Sequence, residues 1–165
     1  MEGKLNVLID MPRPVEMTDR LERLDGVTLN FVEDPRETER SFPVDRIKDC
    51  DVFFGTFLPE NHEVMNRLKL VQISSAGYSQ LVGKHLRERN IVACNARGVF
   101  DVPIAEWNVA MMINLLRDVK GLLKNQDLRV WDRDVRFQRE IRGMVVGIWG
   151  YGGIGRATAR LARAL

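Results

Sequence analysis

Three glycines near the end of the sequence have the spacing of a phosphate-binding turn. Gly150, Gly152 and Gly155 follow an apolar run at residues 144–149 and precede a stretch of helix-forming residues that starts at Arg156. The order strand, glycine turn and helix is the context in which the pattern G-x-G-x-x-G indicates dinucleotide binding. The sequence therefore predicts that this turn holds the pyrophosphate of a dinucleotide.

Each residue of this turn has its own expected role. Gly150 allows a tight turn, Gly152 lets the backbone approach a pyrophosphate, and Gly155 lets the helix pack closely on the strand. At the helix start, the unpaired N–H groups of Gly153 and Ile154 can bind phosphate charge. The alternative interpretation, a buried strand-to-helix turn that binds nothing, stays open at this point.

A nucleotide-binding domain of this type has an acidic residue about 20 residues after the turn, where it binds the ribose hydroxyls. Ten residues follow Gly155, so we interpret residues 143–165 as the first strand, turn and helix of a truncated domain. No arrangement of Ser, His and Asp, or of Cys and His, for nucleophilic catalysis can be assembled from the sequence.

The composition argues against several classes of partner and location. Lys plus Arg number 25 and Asp plus Glu 23, a net charge of +2, which gives no reason to expect nucleic acid or an anionic membrane. No apolar run approaches the roughly 20 residues of a membrane helix, and the amino terminus lacks the pattern of a signal peptide. Cys50 and Cys94 have no metal-ligand spacing, and Cys94, inside an apolar strand, is expected in the core. We therefore expect a cytoplasmic location and no metal.

The residues before the glycine turn alternate between apolar strands and helices. Five strands are predicted, at residues 5–10, 27–32, 51–56, 70–74 and 91–95. Helices are predicted between them, the last two marked by Val64, Met65 and Leu68 and by Leu81, Val82, His85 and Leu86. This alternation favours an α/β fold with a parallel sheet covered by helices.

A helix opened by Pro103 has a different character. From Ile104 to Leu116 its polar residues are Glu106, Asn108 and Asn114, and Asp101 is placed to favour its positive end. A helix that is apolar nearly all round is buried in its own domain or against another subunit. The charged residues 117–142 that follow are typical of a bridge between domains or of an arm that reaches a partner.

Four signatures, taken in order, resemble the amino-terminal half of the D-isomer-specific 2-hydroxyacid dehydrogenases. They are Val71-Gln-Ile-Ser-Ser-Ala-Gly77; Asn95-Ala-Arg-Gly-Val99 followed by Pro103-Ile-Ala-Glu106; Trp131 ahead of Glu140-Ile-Arg-Gly143; and the glycine turn. The match covers nearly the whole chain. Within the family, the first two signatures look most like enzymes of the glyoxylate reductase or hydroxypyruvate reductase type.

The resemblance implies an oxidoreductase that transfers a hydride between NAD or NADP and a small 2-oxo or D-2-hydroxy acid. Residues 1–97 would form a flavodoxin-like substrate domain with a parallel sheet. Residues 98–142 would form a hinge, an apolar helix at residues 103–116 in a homodimer interface, and an arm. Residues 143–165 would begin a Rossmann domain that binds NAD(P).

The resemblance also implies substrate residues. Ala76 and Gly77 would offer backbone N–H groups to the substrate carboxylate, since convergent amides fix an anion without a mobile side chain. The alternative is a plain strand-end turn, with Gly77 present for a positive φ. Phe57 and Phe100, near strand ends, would line the substrate pocket.

The sequence departs from the family pattern at a few positions, and the catalytic residues are missing. Trp107 stands where His is frequent, Gly153 where Arg or Asn is common, and Val82 near the place of an acidic residue. The family's catalytic arginine, its histidine acid/base and the acid that orients the histidine lie beyond residue 165. We therefore expect the chain by itself to have no reductase activity.

Two other classes of function remain open. The resemblance extends to transcriptional corepressors, so a non-catalytic module for protein pairing is one alternative. A free-standing flavodoxin-like domain that senses a small acid is another. A downstream strand ending in an acidic residue, with a later arginine and histidine, would favour the enzyme.

Overall fold

The computed structural model describes residues 4–13, 15–133 and 138–165. The chain forms two compact units, Met1–Arg97 and Gly98–Leu165. The assignment of these units to a substrate domain and to a hinge, arm and partial cofactor domain stays a prediction. Residues 134–137 of the predicted arm lie outside the described residues.

The first unit is built on a five-stranded parallel sheet with the strand order β2-β1-β3-β4-β5. The strands are β1 (Leu5–Asp10), β2 (Val27–Phe31), β3 (Val52–Gly55), β4 (Leu70–Ile73) and β5 (Val92–Cys94). Because parallel strands all point the same way, their carboxyl ends lie at one edge of the sheet. The predicted α/β class and all five strands are confirmed, each within two residues of the predicted bounds.

Two predicted helices of this unit are wrong. The helical elements are α1 (Val15–Glu22), α2 (Val44–Ile47) and two single 3₁₀ turns, His62–Val64 and Ser79–Leu81. The 3₁₀ turns replace the helices predicted around Met65 and Leu86, because i→i+3 bonds and a positive φ at His85 interrupt the chain. Met65 and Leu86 still lie in the core. The spacing of the apolar residues therefore predicted correctly which side chains are buried, but it predicted helices where the chain forms single 3₁₀ turns.

The core of the first unit lies against the central strands. Phe53, Val71 and Ile73 are completely buried, since β3 and β4 have neighbours on both sides. Cys94 is exposed, which contradicts the prediction that it lies in the core. The reason is that β5 is an edge strand whose three residues are all exposed.

A buried carboxylate at the start of β3 ties the first unit together. Asp51 is completely buried and accepts a hydrogen bond of 3.0 Å from the backbone N–H of Asn6. Arg67 and Lys69 approach it at 3.1 and 3.4 Å. Burial by itself raises the pKa of Asp51, but the Asn6 amide and the two cations outweigh it and hold the pKa below its ordinary value. Asp51 is therefore a charged anchor between β1 and β3.

The second unit is helical. It contains α3 (Asp101–Leu116), α4 (Val119–Asp127) and α5 (Gly153–Arg163). Helices α3 and α5 pack together through the buried Ala105, Ala157 and Thr158, and the Asn108 amide donates to the Thr158 hydroxyl at 3.0 Å. Across the described ranges, no helix has both the length and the apolar character needed to cross a membrane.

The strand predicted at residues 144–149 does not form. A strand is defined by hydrogen bonds to a neighbouring strand, and the described part of the second unit offers none. Val145 and Trp149 are consequently exposed, at 98% and 105%. The segment ends at the glycine turn.

Candidate functional site

The glycine turn has the backbone geometry that its sequence predicts. Gly150 has a φ of +90°, a conformation that favours glycine. A Cβ on Gly155 would lie 2.2 Å from the carbonyl oxygen of Gly150 and 3.3 Å from Ile148 Cγ2. Gly150 is therefore required by the turn and Gly155 by the contact of α5 with the preceding segment.

The amino-terminal end of α5 has no side-chain cap of its own. The N-cap residue Gly152 makes no side-chain hydrogen bond to the helix, and a Cβ on Gly152 would meet no atom within 4 Å. The first N–H groups of an α-helix, here those of Gly153 and Ile154, have no partner within the helix. These amides and the positive end of the helix dipole can hold a phosphate group.

A cavity of about 620 Å³ lies beside this turn, within the second unit. It is lined by the turn from Gly147 to Gly155, except Tyr151, and by residues of α3 and α5, namely Asp101, Asn108, Met111, Met112, Leu115 and Thr158. Its walls are mostly apolar, and backbone amides and the Asp101 carboxylate are among its polar groups. Apolar walls beside the amides of a helix start can take a ligand that has both apolar and anionic parts.

The side chain of Asp101 lies beside Gly153 at the start of α5. A Cβ on Gly153 would lie 1.9 Å from Oδ2 of Asp101. The sequence placed Asp101 at the positive end of α3, and the structure shows that its carboxylate also reaches the start of α5. The glycine spacing alone gave no signal for this contact, because the two residues are more than fifty positions apart.

The turn Ser75–Gly77 follows β4 at the carboxyl edge of the sheet. Its three carbonyl oxygens accept hydrogen bonds, from the Ala96 N–H at 2.9 Å, the Asn95 amide at 2.7 Å and the Ser75 hydroxyl at 2.8 Å.

The N–H groups of Ala76 and Gly77 donate to no acceptor in the part of the chain that the structure describes. Two free amides on a turn whose carbonyls are all engaged can bind a carboxylate.

The alternative interpretation of Gly77 rests on a positive φ, and that reason is wrong. Gly77 does not have a positive φ, and a Cβ there would meet no atom within 4 Å. Neither the backbone nor the packing of the first unit requires glycine at this position. The substrate role of Ala76 and Gly77 stays a prediction.

The two predicted pocket phenylalanines lie in different units. Phe57 is half-buried after β3 in the first unit, and Phe100, 38% exposed, is the N-cap residue of α3 in the second. Their common role in lining a pocket stays a prediction. In the described residues, no group of three His, Cys, Asp or Glu side chains is placed to hold a metal ion.

Another cavity, of about 550 Å³, lies in the first unit beside β1 and β2. Two of its arginines are engaged by carboxylates, Arg40 by the buried Asp10 at 2.8 Å and Arg36 by Asp34. The Arg40 guanidinium also lies 4.7 Å from the centre of the Phe42 ring. These two arginines are therefore already paired with carboxylates of the same unit. The cavity is also distant in sequence from the glycine turn and from the turn Ser75–Gly77.

The second unit matches a known domain family. Residues 109–165 match the family model described as the NAD binding domain of D-isomer specific 2-hydroxyacid dehydrogenases. The match contains the glycine turn and the second half of α3.

Curated relatives agree with this match over most of the chain. A glyoxylate reductase of Korarchaeum cryptofilum is 24% identical over 143 residues, 82% of this chain and 43% of the relative. A hydroxypyruvate reductase of Blautia hydrogenotrophica is 25% identical over 140 residues, 78% of this chain and 42% of the relative. The chain thus spans less than half the length of these curated relatives.

Solved structures show the same fold. A D-lactate dehydrogenase from Aquifex aeolicus, complexed with NAD and lactic acid, matches with a TM-score of 0.77 at 19% identity, covering 96% of this chain and 48% of that one. An NADPH-dependent glyoxylate/hydroxypyruvate reductase from Sinorhizobium meliloti, in complex with NADP and malonate, matches with a TM-score of 0.74 at 22% identity, covering 98% and 51%. The resemblance found in the sequence is confirmed.

Proposed function

We propose that this chain, a relative of the D-isomer-specific 2-hydroxyacid dehydrogenases with part of their NAD-binding domain at residues 109–165, is the amino-terminal part of an NAD(P)H-dependent 2-oxo acid reductase. The observation that carries the proposal is the glycine turn, in which Gly150 has a φ of +90° and a Cβ on Gly155 would lie 2.2 Å from the Gly150 carbonyl oxygen. A dinucleotide, when bound, supplies the hydride.

In this proposal the second unit binds the dinucleotide and the first unit binds the substrate. The amides at the start of α5 bind the pyrophosphate, and the free amides of Ala76 and Gly77 bind the carboxylate of a small 2-oxo acid. NAD and NADP share the pyrophosphate, so the turn accepts either. The two free cysteines, Cys50 and Cys94, agree with a reducing cytoplasmic location, which cell fractionation would test.

Weak but specific binding of NADH is the expected result for the 165-residue chain. Titration with NADH, followed by ¹H–¹⁵N NMR, should shift the amide signals of Gly152, Gly153 and Ile154 with a dissociation constant up to the millimolar range. Adenosine, which lacks phosphate, is the matched control ligand and should leave these signals unshifted. The proposal fails if millimolar NADH leaves the three amides unmoved.

We also propose that α3 forms the interface of a homodimer. It exposes large apolar side chains in addition to those that face α5, among them Val102 at 55%, Trp107 at 63% and Leu115 at 82%. Large apolar side chains exposed on one helix favour association, and a two-fold axis would pair the helix with its own copy. Met112 lines the cavity at the glycine turn, so it is a poor position for testing this interface.

Trp107→Ala should weaken this self-association because it removes the largest exposed apolar side chain of α3. Multi-angle light scattering of the unaltered chain at tens of micromolar should give about twice 19.0 kDa, and the variant should approach the monomer mass. Tyr78→Ala, which removes an aromatic ring exposed at 65% in the first unit, should leave the mass unchanged. A monomeric unaltered chain would contradict the interface.

A further inference from the structure

An acidic side chain occupies the entrance to the proposed phosphate site. Asp101 is the first residue of α3, and its Oδ2, Cγ and Oδ1 atoms lie 1.9, 2.5 and 2.6 Å from the position of a Cβ on Gly153. Gly153 is the first residue of α5. The carboxylate is half-buried, and it has no hydrogen bond or ion pair with any other described residue.

The surroundings of this carboxylate explain why it is stable there. The amino-terminal ends of α3 and α5 both carry partial positive charge, and Asp101 lies at both. Helix α5 has no side-chain cap of its own, since its N-cap residue is Gly152. Asp101 therefore supplies negative charge, from another helix, to a helix end that would otherwise have none.

We propose that Asp101 sets the phosphate affinity of the glycine turn by acting as an internal anion that competes with the pyrophosphate of the dinucleotide. This inference rests on the proposed function, because it takes the start of α5 as the phosphate site. Two anions at one helix end repel each other strongly in a partly buried setting. A Cβ at position 153 would displace the carboxylate.

This role makes stability and affinity change in opposite directions. Without ligand, the Asp101 charge stabilises the two helix ends. With ligand, the pyrophosphate supplies that charge and the carboxylate opposes it. A residue that only supported the fold would lower both stability and affinity when it is changed.

Asp101→Asn tests the inference, since it removes the charge and nearly preserves the shape. By NMR titration, the variant should bind NADH and ADP about three- to tenfold more tightly than the unaltered chain, and it should melt at a lower temperature. Asp127→Asn is the matched control, because Asp127 is exposed at the end of α4 in the same unit. Its affinity for both nucleotides should match that of the unaltered chain.

Gly153→Ala supplies a second test that keeps the charge. The added Cβ forces the Asp101 side chain to rotate away from α5, so NADH should again bind more tightly, and Asp101→Asn should add little to that gain. Folded variants that bind NADH and ADP as the unaltered chain does, or more weakly, overturn the inference and leave the proposed function standing. If neither the variants nor the unaltered chain bind NADH or ADP, the inference and the proposed function are both overturned.

Discussion

Gly155→Ala is expected to lower the affinity of the chain for NADH about tenfold or more and to destabilise the second unit. The added Cβ would lie 2.2 Å from the Gly150 carbonyl oxygen, a backbone atom that cannot rotate away, so α5 must move relative to the turn. Loss of two charge-assisted hydrogen bonds of roughly 1.5–3 kcal/mol each is enough for this effect, because about 1.4 kcal/mol corresponds to a factor of ten.

The measurement combines thermal unfolding with NMR titration by NADH. Gly77→Ala is the matched control, since a Cβ on Gly77 would meet no atom within 4 Å and the residue belongs to the other unit. It should retain both stability and affinity. A Gly155→Ala chain with unchanged melting temperature and unchanged NADH affinity would show that the contact at Gly150 does not shape the site.

Gly152→Ala separates a ligand site from a structural turn. A Cβ on Gly152 would point into open space, and its φ of −80° suits any residue. The fold should therefore tolerate the change, whereas a phosphate approaching the backbone would meet the new methyl group. Reduced NADH affinity at unchanged stability would exclude the interpretation of the turn as a purely structural feature.

Local patterns predicted much of the fold. All five strands were predictable because each is a short apolar run bounded by polar or turn residues, and the alternation with helices indicated a parallel sheet. The exposure of Cys94 was not predictable, because β5 has the same apolar character as a central strand. Its edge position follows from the strand order, which depends on contacts distant in sequence.

At the candidate site, too, the features that the sequence did not predict depend on contacts between residues distant in sequence. The glycine spacing predicted the positive φ of Gly150 and the close contact of Gly155, since both are local to the turn. It could not predict that Asp101 reaches Gly153, because that contact needs the packing of α3 on α5. Likewise, the sequence could not predict that the N–H groups of Ala76 and Gly77 have no acceptor. That depends on which residues form hydrogen bonds with this turn, Asn95 among them.

Gly77→Pro is expected to reduce the affinity of the first unit for pyruvate about tenfold or more. Proline removes the Gly77 N–H, which is one charge-assisted hydrogen bond of roughly 1.5–3 kcal/mol to the carboxylate. The Gly77 carbonyl can still accept from the Ser75 hydroxyl, and no atom lies within 4 Å of a Cβ at this position. The turn should therefore stay folded while its anion-binding capacity falls.

Amide NMR signals report this contact directly. In the unaltered chain, pyruvate should shift the Ala76 and Gly77 amides, and pyruvamide, the neutral analogue, should not. Gly77→Ala keeps the N–H and is the matched control, so it should bind pyruvate more tightly than Gly77→Pro does. NADH-induced shifts at Gly152 to Ile154 should be the same in all three chains, because those residues belong to the other unit. If a folded Gly77→Pro chain binds pyruvate as tightly as the unaltered chain, Ala76 and Gly77 form a turn and no carboxylate site.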